Sequence, residues 1–134
     1  MYRNYFKLVI ILLPLCLVSC KKKSTSVSEA IIGTWELRTE YSGWVPAKSF
    51  APDNGNYLKF TKATYQIDTN HVLLRSGTYS IVKEKFNLTG KMGNRIIYNG
   101  EEYGNRTFVD VVHDSLTLSE DAADGGGALY IRIQ

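Results

Sequence analysis

Two histidines, a group of acids beside a glycine run and two cysteines are the residues of this 134-residue chain that would first suggest catalysis or metal binding. His71 lies in "DTNH" and His113 in "VVHDS". Each has one acid close by, Asp68 or Asp114, so each pair offers two weak ligands and no third His or Cys to complete a site. Neither histidine stands at a spacing that gives it a nucleophile to activate. Glu120, Asp121 and Asp124 surround or precede the glycines at 125 to 127, as acids do in calcium loops. The alternating oxygen ligands and the closing glutamate of such a loop are missing, so the stretch reads as a hairpin connection. "GKMGNR" opens no helix and cradles no phosphate. The residue types therefore predict no catalytic group, no metal and no cofactor.

The cysteines sit where export would use them. Arg3 and Lys7 precede an apolar run from Leu8 to Val18, and Ser19 and Cys20 follow it. That order of charge, short apolar run and small residue is a secretory signal peptide over residues 1–19. The run contains Pro14 and is only half the roughly 20 apolar residues that a membrane-spanning helix needs. "LVSC" at 17 to 20 resembles the lipobox of bacterial lipoproteins, in which the leader is cleaved before the cysteine and the cysteine is lipidated. The resemblance implies that Cys20 becomes the acylated first residue and anchors the chain to a membrane of the cell envelope. Removal of the leader also removes Cys16, leaving Cys20 with no disulfide partner. No acidic residue follows Cys20 as a surface-export mark, which points to the outer membrane and a periplasm-facing protein.

"KKKSTSVSE" is polar and rich in Ser and Lys, so residues 20–28 read as a flexible tether. Of the 16 Lys and Arg, five lie at or before Lys23, leaving 11 against all 13 acids in the remainder. The folded part is slightly acidic. Nucleic-acid binding thereby loses the basic face it would need.

What is left is aromatic. Tyr41, Trp44, Tyr57, Phe60, Tyr65, Tyr79, Phe86, Tyr98, Tyr103, Phe108 and Tyr130 are many for one small domain, and they either fill a core or line a cavity. Alternation in "YLKFT", "TYQID" and "GTYSI" puts Leu58 with Phe60, Tyr65 with Ile67, and Tyr79 with Ile81 on shared faces. Phe86 and Leu88 in "FNL" are expected to do the same. Similar runs recur at 96–98, 107–112, 115–118 and 128–133, bounded by Gly, Asn and Asp turns that favour antiparallel hairpins. The one helical signal is a turn at 28–32, capped by Ser28 and ended by Gly33. Residues 29–134 are enough for one domain and not two. The expected fold is all-β: an antiparallel up-and-down barrel of about eight strands with one short N-terminal helical turn.

A helical turn running into "GTWEL" at 33 to 37, followed by the strand meander and a closing "LTLSE…ALYIRI", resembles the lipocalins, and in particular the small lipocalin-like domains of Gram-negative lipoproteins. The resemblance implies that Gly33 and Trp35 open the barrel at its closed floor, with Arg132 of the last strand lying across the indole. It also implies that the loop after the first strand, at 41–57, overhangs an open end. Trp44 and Phe50 on that loop, with Tyr57, Tyr65 and Tyr79, are then the expected contacts for a small apolar ligand. The alternative is a filled barrel that works as a protein-interaction or scaffolding module, and an enzymatic role ranks last.

Overall fold

The computed structural model describes residues 25–133; the expected signal peptide over residues 1–19, Cys20 and Lys21 to Lys23 lie outside the described residues. The first element is a single helical turn, α1 (Val27–Ala30), capped by Ser26 rather than Ser28. The reason is reciprocal bonding. Ser26 accepts from the Glu29 backbone N–H, and the Glu29 carboxylate accepts from the Ser26 N–H, a capping box that Ser28 lacks because Ile31 stands three residues on. The helix therefore starts inside the stretch that reads as a tether. Gly33 then turns the chain with φ of 140°, a conformation that a Cβ would oppose, and the first strand follows at once.

Nine strands follow: β1 (Gly33–Ser42), β2 (Val45–Ser49), β3 (Tyr57–Phe60), β4 (Thr64–Thr69), β5 (Val72–Lys85), β6 (Met92–Tyr98), β7 (Thr107–Val112), β8 (Ser115–Glu120) and β9 (Gly127–Arg132). From β3 onward each pairs antiparallel with the next, and β9 returns to β1. The result is a closed eight-stranded antiparallel barrel, with β2 as an extra strand beside the ring. β1 serves both: Gly33 to Glu36 pair with β3, and Thr39 to Ser42 pair with β2. Pro46 in β2 is tolerated because the strand has no further neighbour to receive its missing N–H.

Alternation places the apolar rows inward as the sequence pattern requires. Leu58, Phe60 and Tyr65 are almost fully buried, and Ile67, Tyr79 and Ile81 pack against them. Two local expectations fail. The long connection at 41–57 holds β2, and "FNL" forms a turn instead of a strand. Phe86 is not inside the barrel. The β5–β6 connection folds back over the outer wall, where Phe86 stacks on Phe108 with ring centroids 3.7 Å apart. The two rings close over Gly93, where any Cβ would collide with both. Asp121 pins this fold-back from a side chain with no exposed surface, accepting from the Asn87 backbone N–H at 2.7 Å and from Arg106 Nη1 at 2.8 Å. The acid that superficially suggested calcium is thus a tie between loops.

Candidate functional site

The two ends of the barrel are built differently. At the α1 end, Trp35 is fully buried and its Nε1–H donates to the Ile31 carbonyl at 2.7 Å. Arg132, paired with Trp35 across β1 and β9, lays its guanidinium 4.1 Å from the indole centroid. The same guanidinium donates to the carbonyls of Ile32 at 2.7 Å and Ala30 at 2.6 Å, so it ties α1 down as a lid. A cation held over an indole away from water contributes up to about 2 kcal/mol. Gly33, Trp35 and Arg132 are brought together here, beneath α1.

The other end opens because β1 changes phase. Trp35 and Leu37 pair with Arg132 and Tyr130, but the register then slips, and Thr39 pairs with Leu129. This β-bulge lets Arg38 and Thr39 both face outward, so Glu40 comes inward opposite Ala128 on one side and Lys48 on the other. Beyond this point the barrel is not filled. A cavity of about 590 Å³ opens at the mouth, with Leu58, Ile67 and Leu118 as its apolar floor and walls and with Tyr98, Tyr130 and Glu40 among its polar ones. A side slot of about 380 Å³ continues from it between β2 and β4, past Lys48 and Phe50. Both volumes fall within the range of small-molecule sites.

Tyr98 and Tyr130 set the character of the cavity. Burial pushes both phenols up, Tyr130 to about 12 with a further push from the Glu40 charge, and Tyr98 higher still with pushes from Tyr130 and Tyr65. Among the described residues neither hydroxyl has a hydrogen-bond partner. Both remain neutral donors at any physiological pH. The Lys48 ammonium lies over the Phe50 ring at 4.6 Å, and among the described residues it makes no ion pair with Glu40.

The residues singled out from sequence are spread over several places. Phe50 lines the side slot. Trp44 stands on the β1–β2 hairpin, 84% exposed, its indole N–H donating to Asp124 at 3.3 Å. Tyr57 faces outward, where its ring meets the edge of His71, and it touches the slot only from outside the ring. Its neighbour Asp68 is partly desolvated, which works to raise its pKa, but hydrogen bonds from Lys59 and Gln66 outweigh that and hold the carboxyl below its ordinary value. Tyr65 and Tyr79 lie below the cavity: Tyr65 packs on Tyr98 with centroids 4.6 Å apart, and Tyr79 packs on Phe60 and donates to the Thr61 carbonyl at 2.7 Å. They support the site without lining it. Of the cavity residues, Tyr98 and Tyr130 belong to the aromatic set named from sequence but not to the expected ligand contacts, and Glu40 and Lys48 are not named at all. Alternation in the closing strand marks Tyr130 as inward, whereas nothing in the sequence announces the bulge that turns Glu40.

No family model matches this chain, and no curated protein or solved structure resembles it closely enough to count as a match.

Proposed function

We propose that this protein is an envelope lipoprotein, anchored through lipid on Cys20 in the outer membrane and facing the periplasm, that binds a small, largely apolar ligand non-catalytically at the open end of its barrel. The observation that carries the binding half is the cavity of about 590 Å³ whose floor is Leu58, Ile67 and Leu118. A barrel of eight strands is just wide enough to be filled by its own side chains or to hold one small guest, and here the closed half is filled and the open half is not. The anchoring half rests on "LVSC" and the leader before it. Native mass spectrometry of the protein taken from its own host tests the binding. A reproducible non-covalent mass that is missing from an Ala128→Phe variant supports it, and an empty barrel in every preparation overturns it. For the anchor, Cys20→Ala is expected to leave the membrane fraction, and an unchanged fraction would refute lipidation.

A second reading has its own observation. Trp44, Tyr103 and Leu74, all strongly exposed, stand around the mouth. Exposed apolar side chains grouped on one end suit a protein-docking module, and a partner that still bound the Ala128→Phe variant would favour that reading.

A further inference from the structure

We infer that the ligand of the open-end cavity is an amphipathic organic cation, its ammonium held by Glu40 and the faces of Tyr130 and Tyr98 and its apolar part lying on Leu58, Ile67 and Leu118. This rests on the binding reading above and names the ligand class for that same site.

Three observations converge. The bulge after Leu37 puts Glu40 on the inward face at the exposed rim of the mouth, directly above the row that carries Tyr130. Among the described residues Glu40 makes no ion pair, whereas Glu36 is paired with Arg38, Asp68 with Lys59, and Glu84 with two arginines. The carboxylate best placed to be neutralised by Lys48, its partner across β1 and β2, is left aside because that ammonium lies over Phe50.

The remaining groups reinforce the sign. The charged side chains that line the cavity are Glu40, Glu120 and Lys48, two carboxylates against one ammonium. Arg75, whose charge also reaches Tyr98, is paired with Glu101 at 3.4 Å, so the excess of carboxylate at the mouth disfavours an anion. A cation meets a carboxylate and two electron-rich ring faces, an arrangement that recognises ammonium groups without requiring a particular hydrogen-bond pattern. The two neutral phenols add oxygens that accept from a protonated amine. Below them the walls are apolar, so a cation without an apolar tail would leave Leu58, Ile67 and Leu118 uncovered.

The test uses three probes with one tail and different heads: phenylbutylammonium, phenylbutanol and phenylbutanoate. Each is titrated calorimetrically into the full chain in detergent, with the detergent alone as blank. The expected order of affinity is ammonium, then alcohol, then carboxylate. Glu40→Gln should weaken the ammonium about fivefold and leave the alcohol unchanged, the size of one partly exposed charge contact. Lys48→Met should tighten the ammonium. If the alcohol binds as well as the ammonium, or the carboxylate binds best, the cation assignment is overturned while apolar binding stands. If none of the three binds, both fall. Should the ammonium bind tightest but ignore Glu40→Gln, the assignment of Glu40 is overturned.

Discussion

At the floor of the barrel Arg132 stacks on one ring and donates to two carbonyls, and Trp35 donates to a third, whereas at the mouth the hydroxyls of Tyr98 and Tyr130 and the carboxylate of Glu40 have no partner among the described residues. Both ends belong to one closed sheet and draw on the same residue types. The difference is whether polar groups are satisfied internally. A buried group that is paired stabilises the fold, and one left open to a cavity is available to something else. The floor thus holds stability and the mouth holds binding capacity.

That contrast can be broken most sharply at the floor. Trp35→Ala is expected to lower the unfolding free energy by about 3–5 kcal/mol, measured by chemical denaturation, because a fully buried indole is replaced by a cavity. Retention of the parental midpoint would show that the floor bears no load. Arg132→Met should follow with about 2–3 kcal/mol, since it removes the cation over the indole and leaves two carbonyls without donors.

The mouth answers to pH instead. Tyr98 and Tyr130 ionise above their ordinary value of 10.0, Tyr130 at about 12, so the folded barrel holds protons that the unfolded chain releases first. Their contribution is intact below pH 10.0 and is lost as pH rises through about 12, a decline of up to about 3 kcal/mol from Tyr130 alone. A Tyr98→Phe, Tyr130→Phe double variant should flatten that decline in denaturation curves taken across the range; an unchanged decline would place its cause elsewhere. Filling the mouth should be nearly silent for stability. Ala128→Phe is expected to change the unfolding free energy by less than about 1 kcal/mol while excluding any probe, because the new ring enters empty space. The smallest effect belongs to Trp44→Ala, within about 0.5 kcal/mol, as the side chain is 84% exposed and makes one surface hydrogen bond. A larger loss in thermal unfolding would mean that the rim, too, supports the fold.

Much of the fold was legible because burial on one face imposes a period of two. "YLKFT" and "TYQID" carry that period, and Leu58, Phe60, Tyr65 and Ile67 face where it puts them. The same period places Tyr57 on the outer face with Lys59, from where it borders the side slot and not the main cavity. Ser26 and Glu29 likewise spelled out the capping box that Ser28 could not make. Other features had no local signature. "FNL" alternates like a strand, yet Phe86 finds Phe108 on the outer wall, because Gly93, several residues away, leaves room for two stacked rings.

The sequence by itself determined the all-β antiparallel order and the inward rows, because each depends on residues adjacent or two apart along the chain. Only the tertiary structure decided where the barrel stays empty and which charge faces the gap. That choice turns on a single slipped register between β1 and β9, strands nearly a hundred residues apart, and a one-residue slip reverses the facing of every side chain after it.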